Sequence, residues 1–497
     1  MQTTRRSFLQ QFIQPTPPSL SSAHSLPAAR ITKFVEVDPV QHLVTRATWG
    51  MTPEVLSHAQ TIGLEAWLDE QLNPERIADT KLDQQMKLQP IWKMSRRDIH
   101  NAFSDQDYEV TDRIRKGIFT RAVYSEKQLL ERVVDFWRDH FNISDESGYA
   151  TELLLFERNV LYKHALGNFR DLLIASAGHP AMLVYLDNFV SEKEAPNENY
   201  ARELLELHTL GVDGAYTEED IREVARALTG WTIHPGTDDG FFFDEEMHDT
   251  GRKLILGHRF PAGRGIEDGL HLLSLVARHP DTARFISTKL CRRFVSDHPP
   301  ATLIDSTTQV WKNTDGNIQA VLRHIFLSAE FQQSVGQKYM RPFEYVVAIF
   351  RATDNRVTDW YVIEEMLTGM GQIPHGWHPP NGYPDVAGAW INTGGLLNRW
   401  NAAMYLTHSA YEDVDNGWGV LSNLDQHIEN PKTAGELVDQ IAVQIWGISI
   451  SATVRGQFAN YVSDGAGVDA PLNAHFLSRK MASTFGLMFA SPYFQWR

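Results

Sequence analysis

The chain has 497 residues, 42% of them hydrophobic, with 13 tryptophans, which is ample material for a packed core and unlike a disordered composition. Its formal net charge of −16 argues against a nucleic-acid partner, whose phosphates are neutralised by Lys and Arg. One cysteine, Cys291, excludes an intrachain disulfide and a thiolate metal cluster. No apolar run reaches the roughly 18 residues of a membrane-spanning helix.

Thr4-Arg5-Arg6-Ser7-Phe8-Leu9-Gln10 resembles a twin-arginine export signal, but glutamines and prolines stand where the apolar stretch belongs. Residues 1–35 are therefore expected to be a disordered leader with a degenerate signal. The protein would be periplasmic or otherwise exported, or cytoplasmic if that leader is inactive. Residues 36–497 are expected to form a mostly α, multi-helical body with a minor β-hairpin.

Asp38-Pro39 and Thr52-Pro53 each place a capping side chain before a proline at the first helical position. Leu64, Trp67, Leu68 and Leu72 follow helical spacing. Ser125 and Gln128 suggest a capping box ahead of Leu129, Val133, Trp137 and Phe141. His140 falls on that apolar face and Asp139 points elsewhere. Over Glu198–Thr209, Ala201, Leu204, Leu205 and His208 share one face, while Arg202, Glu203 and Glu206 occupy the other. Thr217 opens the next helix. The best hairpin pairs Phe241–Asp244 with Lys253–Leu256, its connection containing His248 and Asp249. The Gly/Pro-rich stretch 257–265 is a possible sub-boundary. Ala283, Ile286, Leu290 and Phe294 mark a further helix, with Cys291 buried and Lys289, Arg292 and Arg293 on a solvated face. Five of the 20 histidines precede proline; His179 and His279 read as residues at helix N-termini, where the dipole favours a neutral ring. The segment PHGWHPPNGYPD (374–385) is too rich in proline for regular structure, and its aromatics could pack on the body or cover a site.

The densest concentration of charge is Pro196–Thr232, with eight acidic residues, three arginines and one histidine. This block, with HLVTRATWG (42–50), GHPAMLVYLDN (178–188), HDTGRKLILG (248–257), HPDTARFISTKLCRRFVSD (279–297) and PPNGYPD (379–385), resembles the bacterial domain-of-unknown-function family numbered 1800. The resemblance spans about residues 38–405. It implies that the polar residues of the block belong to a site, without naming a reaction. It also implies a possible partner, since relatives are often encoded beside sulfatase-like proteins of the family numbered 1501.

HExxH, GxSxG, GxxxxGK[ST] and GxGxxG are all missing, which counts against zincin peptidases, serine hydrolases and nucleotide-dependent enzymes. The resulting expectation is a hydrolytic enzyme that uses carboxylates and histidines, with or without a divalent metal. Glu203, Glu206, Arg202 and His208 are the catalytic candidates. His248, Asp249, Glu203 and His208 are the candidate N/O ligands for zinc, manganese or iron. The alternative is a non-catalytic partner of the sulfatase-like protein.

Overall fold

Capping chemistry sets many of the helix boundaries. In the computed structural model, which describes residues 37–497 except 105, 235–239, 358, 409–419, 423 and 448, Asp38 and Thr52 accept from the first free N–H groups of helices Pro39–Ala47 and Pro53–Ile62. His179 and His279 do the same through their rings, accepting from Ala181 N and Asp281 N at 3.2 Å each. Thr217 and Asp220 form a reciprocal capping box. The box expected at Ser125 and Gln128 is not formed. Ser125 Oγ donates to Asp79, and the Gln128 side chain reaches Trp49 and Ala122 instead. The leader, residues 1–35, lies outside the described residues.

The described chain is mostly α-helix with short antiparallel strand pairs, and residues Thr32–Arg497 cluster as one compact unit. Among the described residues no helix is long and apolar enough to cross a membrane. The two strands expected from the sequence form at 241–243 and 253–255, but each pairs with a strand that was not expected. β1 (Trp231–Ile233) pairs with β2 (Phe241–Phe243), and β3 (Lys253–Ile255) with β4 (His258–Phe260). Two local hairpins thus replace one long one, because each strand closes on its neighbour across the shorter connection. Cys291 is buried, as expected.

Two helices contain a π turn. Glu198–Glu203 continues as a π segment at Leu204–His208, and Ala150–Phe156 continues as another at Glu157–Leu161. Each wide turn rotates the following side chains relative to a regular helix. The first delivers the carbonyl of His208 to His140, and the second delivers Glu157 to Arg138. Both targets lie on helix Gln128–His140, which is buried nearly all round although it carries Glu131, Arg132, Asp135, Arg138 and Asp139.

Burial holds His42, His179 and His208 neutral, each ring lowered to about 3 by loss of water, with Arg46, Arg96 and Lys289 respectively adding repulsion. Their unfolded value is near 6.5, so the unfolded chain binds more protons between that value and about 3. Stability should fall as the pH drops from 6.5, by up to about 1.4 kcal/mol per pH unit for each ring. Urea unfolding at neutral pH and near pH 5 measures this. An unchanged free energy would show that the rings protonate without penalty.

Candidate functional site

Residues Phe136, Asp139, His140, Lys289, Arg293 and Asp385, with the loop residues Trp377 and Tyr383, line a cleft of about 330 Å³. Three segments distant in sequence build it: the end of helix Gln128–His140, the last turns of helix Pro280–Phe294, and the loop 374–385. The loop has a fixed shape despite its prolines. Asn142 donates to the carbonyls of Trp377 (2.8 Å) and Pro379 (2.9 Å). The Tyr383 hydroxyl accepts from Ile373 N and donates to Ile373 O. Tyr185 donates to His378 O. Gly382 sits at φ 70° against the backbone of Asp139, so any side chain there would be strained and would meet the Asp139 carbonyl. His375, also at positive φ (61°), is buried with Nδ1 3.0 Å from Ile143 O and Nε2 2.9 Å from Glu157.

Beneath the cleft lies a buried ion network. Asp135 is bonded to Arg293 and Arg341, and to Arg138 at 3.1 Å. Burial alone would raise its carboxyl, but Arg341, Arg293 and Arg138 together hold it below the usual carboxylate range. Arg138 forks onto Glu157 (2.6 and 2.9 Å), whose carboxyl is pulled down to about 2 by that guanidinium and by His375, against burial. Arg341 also holds Asp139. Lys338 bridges Asp297 (2.9 Å) and Asp385 (3.0 Å), and Asp385 lies 3.7 Å from Arg293.

On the cleft surface the shifts run in opposite directions. Burial lowers Lys289 to about 8, opposed by Asp139 and Asp385. Its Nζ donates to His140 Nδ1 at 2.9 Å, and His140 Nε2–H donates to the His208 carbonyl at 3.1 Å. That pairing fixes the tautomer: Nδ1 is the acceptor, and burial with the Lys289 charge keeps the ring neutral. Asp139 is raised, first by burial and then by Asp135, against the pull of Arg341.

Asp139, turned off the apolar face of its helix, faces the cleft. One expectation about these residues is corrected. Lys289, Arg292 and Arg293 are not a solvated face: Arg293 is buried, the other two are partly buried, and all three line the cleft. The helix face that carries them meets acidic residues contributed by remote segments, a pairing that spacing within one helix cannot reveal.

The residues singled out from the sequence divide into separate groups. Arg202 bridges Glu206 (3.4 Å) and Glu218 (2.8 Å) on a partly exposed surface. Glu203 is partly buried and its carboxyl is raised by burial and by Glu206. His208 is buried behind the cleft, supplying its carbonyl to His140, while its own Nε2 has no hydrogen-bond partner. His248 Nδ1–H donates to Thr229 O at 2.8 Å, with Nε2 3.7 Å from Asp268. Asp249 forks onto Arg226 at 2.7 and 3.2 Å. These last contacts tie the hairpins to helix Glu218–Ala227. Among the described residues no three His, Cys, Asp or Glu side chains are grouped so that they could hold a metal ion. Asp135, Arg138, Asp139, Glu157, Arg341 and Asp385 were not singled out. Their signal is charge embedded among large apolar residues, as in VVDFWRDHF (133–141).

The chain belongs to the family described as protein of unknown function (DUF1800), whose model matches residues 42–496. Comparison with curated proteins and with solved structures gives no significant match.

Replacing Asp135 with Asn would leave the buried Arg293 and Arg341 charges without their shared partner. Such a loss costs about 3–5 kcal/mol. Urea unfolding of Asp135→Asn should show a drop of that order. A change below about 1 kcal/mol would mean that the network contributes little to stability.

Proposed function

We propose that this DUF1800 protein is a hydrolytic enzyme whose acid–base groups are Lys289 and Asp139, with His140 as the positioning residue. The observation that carries the reading is the chain Lys289 Nζ–His140 Nδ1 (2.9 Å) and His140 Nε2–His208 O (3.1 Å), opening into a cleft that Asp139 also lines. Burial lowers the proton affinity of the amine and raises that of the carboxyl, which brings both groups nearer to the neutral range where a general base and a general acid work. In its neutral form Lys289 takes a proton from an attacking water. Asp139, the carboxyl made harder to ionise, hands a proton to the leaving group. His140 orients the amine and cannot itself take the proton without losing the Lys289 bond. The aromatic wall of Phe136, Trp377 and Tyr383 excludes water from one side of the substrate. Glu203 and Glu206, with Arg202, are kept in this reading as a surface pair near the loop, close enough for Glu203 to act on the Tyr185 hydroxyl that holds His378. An exported location, implied by the leader, is part of the same proposal.

Turnover of p-nitrophenyl acetate, phosphate and sulfate tests it. Lys289→Met and Asp139→Asn should each lower the hydrolysis rate by about 10²–10⁴-fold. The wild-type rate should rise with pH as Lys289 loses its proton, with a midpoint near 8. A hydrolysis rate that neither substitution changes would overturn the assignment.

A second reading, a binding partner for a sulfatase-like protein of the family numbered 1501, is favoured by one surface. Helix Thr393–His408 exposes Leu396 (44%), Leu397 (60%) and Trp400 (50%) within little more than one turn, and apolar side chains exposed together in this way mark an interaction site. Co-purification of the two proteins, abolished by Trp400→Glu, is the expected result. Equal recovery with the variant would sink it.

A further inference from the structure

Lys289, Arg292 and Arg293 stand at positions i, i+3 and i+4 of helix Pro280–Phe294, so their side chains leave the same face, and all three line the cleft. Nearby negative charge is already committed. Asp135 and Asp139 contact Arg341, Asp135 also contacts Arg293, and Asp297 and Asp385 share Lys338. Arg292 makes no ion pair with any described residue. Its Nε donates to the Asp297 carbonyl at 3.3 Å, leaving both terminal amino groups without a partner among the described residues. Arg293 is 2% exposed; its charge is shared with Asp135, and Asp385 lies 3.7 Å away, so it adds positive charge beneath Arg292 rather than free donors. Arg292, free of any ion pair with the described residues at the edge of the cleft and backed by the buried Arg293, is therefore a cationic group that the fold itself does not use, in a protein of net charge −16.

We infer that the Arg292–Arg293 end of the cleft binds an oxyanion on the substrate, with the substrate's body lying along Trp377. A guanidinium presents its N–H groups in a planar fork that matches two oxygens of a phosphate, sulfate or carboxylate. Trp377 is suited to the second part. Its indole N–H is tied to Asn381 Oδ1 at 2.9 Å and its ring leans on Tyr383 with centroids 5.0 Å apart, so the ring is held in place. The inference rests on the hydrolytic reading only for the word substrate; the oxyanion site stands on the arginines.

Calorimetric titration of the full chain with inorganic phosphate, sulfate and acetate tests this, with far-UV circular dichroism confirming that each variant is folded. At least one oxyanion should bind at neutral pH, and the order among the three identifies the phosphoryl, sulfuryl or carboxyl class. Arg292→Gln should weaken binding at least tenfold, and Arg292→Lys should restore part of it. Asp139→Asn should retain binding even where it abolishes turnover, which separates this site from the acid–base assignment. Binding of none of the three, or binding that Arg292→Gln leaves unchanged, would overturn the inference. Oxyanion binding lost in Arg292→Gln, together with hydrolysis indifferent to Lys289→Met and Asp139→Asn, would uphold the oxyanion site and refute the hydrolytic reading.

Discussion

The structure depends on how one buried carboxylate is neutralised. Asp135 sits in the middle of a helix enclosed by the rest of the body, and it is shared by Arg138 of its own helix, Arg293 of helix Pro280–Phe294, and Arg341 at the start of helix Pro342–Thr353. Isolated, any of these charges would be expelled from the interior by the cost of dehydration. Together they are tolerated, and because each arginine belongs to a different segment, their pairing fixes how the three helices meet. Glu344 with Arg132, and Glu131 with Arg121 and Tyr162, repeat the arrangement along the same helix. Replacing such a network with apolar side chains could preserve stability. It would not place charged groups at the floor of a cleft.

That placement links the packing to the chemistry. Arg341 holds Asp139, and Arg293 lies within 4 Å of both Asp139 and Asp385, so the acid groups facing the cleft are positioned by the same arginines that neutralise Asp135. The loop 374–385 is pressed onto this floor by Asn142 and by the close approach at Gly382. The histidine at 140 is locked between Lys289 and a carbonyl that a π turn presents. Lys289 carries a cost: its proton is harder to keep in the folded state, so the unfolded chain binds more protons between pH 8 and 10.5, and stability rises with pH across that window. A group that penalises folding at neutral pH is the kind found where function requires it.

Much of the framework was legible in the sequence. Helical spacing and the capping residues Asp38, Thr52, His179, His279 and Thr217 act on neighbours a few residues away, so their meaning is local and readable. Family motifs at 279–297 and 379–385 also pointed to segments that do converge on the cleft. What could not be read was partnership across the chain. Helical periodicity separates apolar from charged faces, and by that rule the side bearing Asp135, Arg138 and Asp139 belongs in water. Its burial depends on arginines 158 and 206 residues further along the chain than Asp135. Glu203, Glu206 and His248 stand out in the sequence because they fall within the family's motifs, and position in a motif does not give the partner that each side chain meets. The acidic block satisfies itself largely with Arg202, Arg222 and Arg226. The strand pairing failed for a related reason, since two hairpins and one give the same apolar pattern.

Burial beside this network leaves the Lys289 amine poised to work as a base, its proton loosened by loss of water against the pull of Asp139 and Asp385. The direct measurement is the protonation of Lys289 itself, by competitive acetylation of the intact protein across a range of pH with mass-spectrometric readout at that residue. The account predicts a labelling midpoint near 8, far below that of the surface lysines. A midpoint at the ordinary lysine value of 10.5 would contradict it.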